Sequence, residues 1–344
     1  MPDYGFLYMS YNLFQALFEA RGGSGSEPLA PPLDLASPSF ALGELYYSFD
    51  VGKSVFVRLG KQLLAWGPSR IWTPVDFVNG QRANFFSLVD LRQGAPGLKL
   101  FLPMGKADAM LFADFSDLVS KDLASATVST AGLDATRIAG RLDATLGGFE
   151  LGLTGLVASL SQDKAGFDFS GGFFGAGVYG ELAYAPAYSS YESALMASLG
   201  FSRAIGDLRR WTISAEGFYN FLGSDLTGDA AAISAKAPLY IGAWYGYAAV
   251  AAQKLFSPDL ATSLSGLANF SDLSYSMRLE EDLSFSRAVP FSLILAFAGG
   301  GPGKEFTLLG GDNSSSLSVQ TLIEFQELYP CKAEDANIAA SDFL

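Results

Sequence analysis

The sequence predicts an all-β fold, a transmembrane antiparallel up-and-down β-barrel of about sixteen strands. Three observations carry this reading. Apolar residues make up 49% of the 344-residue chain and charged residues 17%, too few charges for an ordinary soluble domain, where about a quarter are expected. That hydrophobicity is spread through short alternating segments instead of being gathered into spanning helices. The longest uncharged run, Ala237–Gln253, is broken by Pro238, Gly242 and Gly246 and falls short of the about 20 apolar residues a membrane helix requires. Finally, tight turns alternate with longer polar loops, the asymmetry of a barrel whose two ends face different compartments.

Taken in order, strand-length segments fall near 4–19, 39–50, 54–65, 94–104, 107–117, 134–145, 149–160, 164–171, 175–186, 192–204, 210–222, 238–255, 259–270, 273–285, 289–300 and 314–327. Side chains alternate along a strand with a period of two, so each segment has one apolar and one wet face. In 134–145, Arg137, Arg141, Asp143 and Thr145 oppose Ile138, Leu142 and Ala144. In 210–222, Trp211, Ile213, Ala215, Tyr219 and Phe221 oppose Thr212, Ser214, Glu216 and Asn220. In 314–327, Leu317, Val319, Thr321, Ile323 and Phe325 oppose Ser318, Gln320, Glu324 and Gln326. Tight turns fall at Val51–Lys53, Gly105–Lys106, Leu146–Gly148, Ile205–Arg209, Ser257–Asp259 and Ser286–Ala288, and longer loops at 20–38, 66–93, 118–133, 223–237 and 301–313. An even strand number puts both termini on one side, which requires two strands within 161–186. The barrel is expected over 1–328, with a C-terminal tail over 329–344. The start, MPDYGFLYMSYNLF, lacks a basic region and a cleavage site, so a mature or shortened chain, or a misplaced start, is expected.

Composition also narrows the function. The chain has no histidine, which excludes Ser-His catalysis and His-based zinc sites, and its one cysteine, Cys331, cannot build a thiolate cluster. No cofactor is expected and no enzymatic activity. A net charge of −13 argues against nucleic acid as a partner, whose phosphates would be repelled, and either biases a pore mildly toward cations or keeps the loops soluble. The 14% aromatic share, with 28 Phe and 15 Tyr, suits strands and the aromatic girdles of a membrane barrel. Three nucleotide or glycan spellings fail. Gly175-Ala-Gly177-Val-Tyr-Gly180 runs into a strand instead of opening a helix. Ala298 and Glu305 stand where a phosphate loop ending at Lys304 needs Gly and Ser or Thr. Asn269-Phe-Ser and Asn313-Ser-Ser are glycosylation acceptors by spelling only.

The most informative segment is Val55–Asn79, VFVRLGKQLLAWGPSRIWTPVDFVN. A strand ends in Gly60-Lys61-Gln62, followed by Trp66-Gly67 and a Pro74-x-Asp76…Asn79 step. This resembles a broad group of Gram-negative and spirochaete outer-membrane porin-like proteins. The hairpin Pro96–Phe115 is similar to that group too, whereas Lys61 departs from the commoner arginine and the tail beyond Leu328 from a terminal aromatic residue. The resemblance implies an outer-membrane barrel passing small solutes, with outer-membrane lipid and lipopolysaccharide around it and a homo-oligomer open.

Read from the residues, Arg58 and Gln62 share the face of Gly60, and an ionic face implies a watery lumen. Lys61 falls on the opposite face near the strand end, either snorkelling at the rim or turned inward by a bulge at Gly60. The 66–93 loop carries Arg70, Trp72, Asp76, Asn79, Arg82, Asp90 and Arg92, and folds either into the lumen as a constriction or outward as a solvated cap. Arg137, Arg141, Asp143, Glu150, Glu181, Glu216, Arg278, Glu280 and Asp282 are expected on the lumen wall, either exposed to solutes or satisfying one another as cross-strand pairs. Glu281 falls on the apolar face of its strand, an interface position or a register error. The favoured expectation is a porin-like channel whose constriction and wall residues are Arg58, Gln62, Arg70, Asp76, Asn79, Arg82, Asp90, Arg92, Arg137, Arg141, Asp143, Glu216, Arg278 and Glu280. The alternatives are a surface binding or adhesion protein on a barrel scaffold, working through its loops, and a carrier of hydrophobic molecules using an inner lane with Phe101, Leu267 and Ile294.

Overall fold

The computed structural model describes residues 5–22, 39–79, 94–122, 127–130, 132, 135–189, 192–206, 211–223, 242–253, 260–283, 291–301, 304–306 and 315–331. Its strands are β1 (Gly5–Gly22), β2 (Ser39–Val51), β3 (Val55–Gln62), β4 (Ala95–Pro103), β5 (Ala107–Asp114), β6 (Val119–Asp122), β7 (Thr127–Thr130), β8 (Arg137–Leu146) and β9 (Phe149–Ala158). They continue with β10 (Lys164–Phe173), β11 (Ala176–Ala185), β12 (Ala194–Ile205), β13 (Trp211–Asn220), β14 (Trp244–Gln253), β15 (Leu260–Asn269), β16 (Ser274–Leu283), β17 (Phe291–Gly299) and β18 (Ser315–Cys331). All but β6 and β7 form one closed antiparallel barrel of sixteen strands, each paired with its neighbours in the chain and closed by β1 against β18. Closure leaves no free sheet edge, so every ladder is satisfied without water, as hydrocarbon demands.

The expected segments map one to one onto the barrel strands, including β10, on which the strand parity depended. Two differences stand out. The loop expected at 118–133 carries a small hairpin, β6 with β7, set apart from the barrel sheet. Its strands of four residues each are too short to show an alternation. At the other end, β18 runs through Cys331, three residues into the segment expected as tail, because its ladder with β1 continues to Gly5↔Cys331.

The hairpins confirm the two-ended asymmetry. The turns 147–148 and 174–175 are two-residue connections in which both residues have positive φ: Gly147 and Gly148 at 61° and 86°, Phe174 and Gly175 at 47° and 76°. This mirror-image turn matches the twist of the paired strands. Both lie at the barrel end that also holds the β2–β3 and β4–β5 turns, while the C-terminal ends of β1, β3, β5, β13 and β17 lie at the other.

The outer face is apolar. Leu142, Leu153, Val157, Leu199, Leu264, Leu279 and Leu295 are all exposed on it, as a hydrocarbon-facing belt requires. Two ionic residues on this face are explained by position. Pairing runs without a slip through Gly60, so no bulge turns Lys61 inward. It stays outside, and its Nζ donates to the Leu42 carbonyl at 2.7 Å. Glu281 lies opposite Thr262 near the short-turn end and accepts that hydroxyl at 2.7 Å, while its neighbours Glu280 and Asp282 face inward. It is an interface position, and the register stands.

Candidate functional site

The inner face is polar, and the chain following β3 crosses it. In the closed strand order seven strands separate β3 from β13 in either direction, so the two are diametrically opposed. Yet the backbone N–H groups of Arg70 and Trp72 donate to the Glu216 carboxylate of β13 at 3.0 and 2.9 Å, with Ile71 N–H close behind at 3.3 Å. The N–H groups of Ser69 and Val75 donate to the Glu181 carboxylate of β11 at 2.8 and 3.1 Å. Ser69 Oγ pairs with Ser198 Oγ of β12 at 2.7 Å. Segment 63–79 is therefore an inward-folded loop tied to the far wall, not an outward cap.

The sequence of the loop explains its path. A Cβ on Gly67 (φ +85°) would sit 2.3 Å from Glu181 Oε1, so only glycine lets the chain pass the carboxylate and turn. After the turn at Thr73–Asp76, Asn79 closes the base: its side-chain amide donates to the Leu64 carbonyl and to Asp76 Oδ1, the latter at 3.0 Å. Apolar loop residues fill the space between. Leu64, Trp66, Val75, Phe77 and Val78 are buried against Phe112, Ala139, Leu156 and Ala183, the inward residues of β5, β8, β9 and β11. Trp72 stacks on Phe218 at 5.4 Å with rings 6° from parallel. Gly166 of β10 leaves room for Val75, whose Cγ1 would lie 2.7 Å from an added Cβ.

The predicted site residues separate into groups. Asn79 and Glu216 are buried inside the loop scaffold, at 4% and 3% exposure, and hold the inward loop in place, whereas Gln62, at 1% exposure, stays on the wall, where its side-chain amide donates to the Gly97 carbonyl of β4 at 3.4 Å. Asp76 secures Asn79 through both carboxylate oxygens. Arg70 lies exposed on the loop, its guanidinium 5.9 Å from the Tyr179 ring. Arg137 pairs with Asp114 and, at 3.4 Å, with Asp117. Arg141 bridges Asp143 at 2.7 Å and Asp168 at 2.6 Å, and also donates to Thr154. Arg278 pairs with Glu280 at 3.1 Å. These wall charges are paired with one another. Arg58 lies over the Tyr46 ring at 4.7 Å and directly opposite Lys99 on β4. Arg82, Asp90 and Arg92 lie outside the described residues.

Sequence reasoning placed Glu181 on the wall by parity and did not single out its partners. Asp114, Asp168, Tyr179 and Ser198 were missed, as were Tyr245, Glu305 and Phe306. For the strand residues the only signal was an inward-facing position, which does not distinguish an anchor from a lining residue, and Glu305 and Phe306, in the connection after β17, carried none.

These features define a class: an even-stranded, closed transmembrane barrel of outer-membrane type, with an apolar belt and a polar lumen narrowed by an inward loop. No protein-family model matches the chain, and no curated protein matches it by sequence. Among solved structures it is similar to Pseudomonas aeruginosa OpdK, determined with vanillate, at a TM-score of 0.59 and 8% identity over 94% of this chain and 99% of that one. Pseudomonas aeruginosa OccK5 (OpdH) aligns at 0.56 and 9% over 95% and 98%. Acinetobacter baumannii OccAB4 aligns at 0.57 and 7% over 96% and 99%. At such identities the likeness is one of fold, and it spans the barrel as a whole. OpdK is described as an outer membrane protein.

Proposed function

We propose that this chain is an outer-membrane channel for passive passage of small solutes, related to the porin-like proteins that its Gly60–Asn79 segment resembles. The observation that carries the reading is the tie across the lumen: five backbone N–H groups of 69–75 held by Glu181 and Glu216. A barrel with only a scaffolding role has no need of a loop pinned across its bore. A channel needs a fixed constriction, since selectivity depends on bore width and on charges held in place. Among the described residues the loop fills the side bounded by β5 and β8–β15, and we assign the passage to the wall of β16, β18 and β1–β4. Arg70 on the loop, Arg58 and Lys99 on one wall and the Arg278–Glu280 pair on the other are the charges we assign to it. The solvated wall and the absence of histidine favour passage over chemistry. The outer face meets outer-membrane lipid.

The test is single-channel conductance of the refolded protein in a planar bilayer, with reversal potentials under a salt gradient. Stable steps are expected, and Arg70→Ala is expected to shift selectivity toward cations while the barrel stays heat-modifiable on gels. A folded barrel without conductance would overturn the channel reading.

A further inference from the structure

Residues 304–306, between β17 and β18, also turn into the lumen, and they meet the 63–79 loop at Tyr245. Glu305 and Phe306 are almost fully buried, at 5% and 2% exposure, although they belong to a connection between strands. They lean back over β16 and β15 to β14. The Glu305 carboxylate accepts the Tyr245 hydroxyl, and the Asn269 side-chain amide donates to it at 2.7 Å. Glu305 N–H donates to Asp272 Oδ2 at 2.8 Å, and Asp272 is itself fixed by Ser274, whose N–H and hydroxyl both donate to its other oxygen. The backbone reaches this position through Gly300 (φ +135°), where a Cβ would lie 2.6 Å from Ser274 Cα.

Phe306 then meets the Tyr245 ring edge-on at 6.4 Å, while Trp72 of the crossing loop packs on that same ring at 6.0 Å. Trp72, Phe218, Tyr245, Leu267, Ala298 and Phe306 form one buried cluster at the long-loop end of the barrel. Tyr245 thus serves two inward segments at once, through its ring for Trp72 and Phe306 and through its hydroxyl for Glu305. Its hydroxyl also accepts the Gly242 N–H at 2.6 Å, which fixes the ring at the mouth of the barrel.

We propose that Tyr245 is a shared post for two independent lumen segments, and that Glu305 and Phe306 are positioning residues that brace the Trp72 side of the crossing loop and so set the width of the outer entrance. The bracing follows from packing alone, because a buried aromatic cluster resists the loss of any member. The effect on the entrance rests on the channel reading above. Neither Glu305 nor Phe306 touches the N–H groups of 69–75 that bind Glu181 and Glu216, so any change there on altering residue 306 is transmitted through the cluster.

Two readouts on the full-length refolded barrel test this. Hydrogen exchange followed on peptides covering 63–79 reports the brace without requiring conduction. Single-channel conductance, together with the size at which neutral polymers are excluded, reports the entrance. For Phe306→Ala, exchange in 69–75 is expected to quicken about two- to ten-fold, the range set by losing one aromatic contact. Conductance is expected to rise roughly two-fold with a larger polymer cut-off. Glu305→Ala is expected to act alike, whereas Glu305→Gln, which keeps an acceptor for Tyr245 and Asn269, stays near the parent. A folded Phe306→Ala barrel with unchanged exchange in 69–75 would overturn the brace. Faster exchange with unchanged conductance and cut-off would overturn the role at the entrance. If the parent conducts nothing while exchange still responds, the channel reading and the entrance role fail and only the brace stands.

Discussion

At the residue scale, the constriction depends on a few side chains that accept backbone N–H groups across a distance no local structure spans. Glu216 takes three loop N–H groups and the Tyr179 hydroxyl, and Glu181 takes two more. Charged acceptors make stronger hydrogen bonds than neutral ones, and a buried carboxylate left without donors is costly, so loop and wall stabilise each other. Gly67 is where this arrangement is least tolerant. Gly67→Ala adds a methyl group against Glu181 and forces a left-handed backbone on alanine, a penalty of about 1 kcal/mol before the clash is counted. The expected result is a barrel that still folds and shows heat-modifiable mobility, with the 69–75 amides losing protection in hydrogen exchange. Protection equal to the parent's would mean that the Glu181 contact does not hold the loop.

At the scale of elements, the crossing loop is a folded insert and not a flexible tether. Its base is closed by Asn79 on Leu64, its middle is packed on four inward wall residues, and its tip stacks on Phe218. The wall strands, by contrast, are complete without it, since the closed ladder supplies all their backbone partners. Replacing residues 68–77 by a short Gly-Ser link is therefore expected to leave the barrel folded and to raise conductance several-fold, as the bore widens from a constriction to the wall-to-wall width. Unchanged conductance would place the limiting section elsewhere, in the β17–β18 connection or in residues 80–93.

At the scale of the whole molecule, stability comes from a closed sheet with opposite solvents on its two faces. Among the described residues the outward belt shows no counterpart to the paired charges within, where Arg141 bridges two aspartates and Arg278 meets Glu280. Among the described residues charge on the belt falls near strand ends, as at Lys61 and Glu281, both of which are hydrogen-bonded. Leu153, exposed at the middle of β9, is the contrasting case. Leu153→Arg is expected to destabilise the folded barrel by about 2–4 kcal/mol, against about 0–1 kcal/mol for an arginine near the interface. Reversible urea unfolding in lipid vesicles measures the difference. Equal costs at the two depths would contradict a hydrocarbon belt at mid-strand.

The sequence by itself determined the barrel: strand number, the order of strands, the wet face of strands such as β8 and β13, and which end carries the long loops. These follow from a period of two and from the rhythm of turns, both of which are local. It also marked the Trp66-Gly67 and Pro74–Asn79 steps as unusual, and the glycine and the asparagine prove to be the turn past Glu181 and the lock at the base of the loop. Only the tertiary structure decided that the loop goes inward, that Asn79 and Glu216 are anchors, and that Glu305 and Phe306 share Tyr245 with Trp72. The physical reason is separation along the chain. The partners of residues 69–75 lie more than one hundred positions away, on the opposite wall, and no local pattern records which inward-facing glutamate will find a loop to hold.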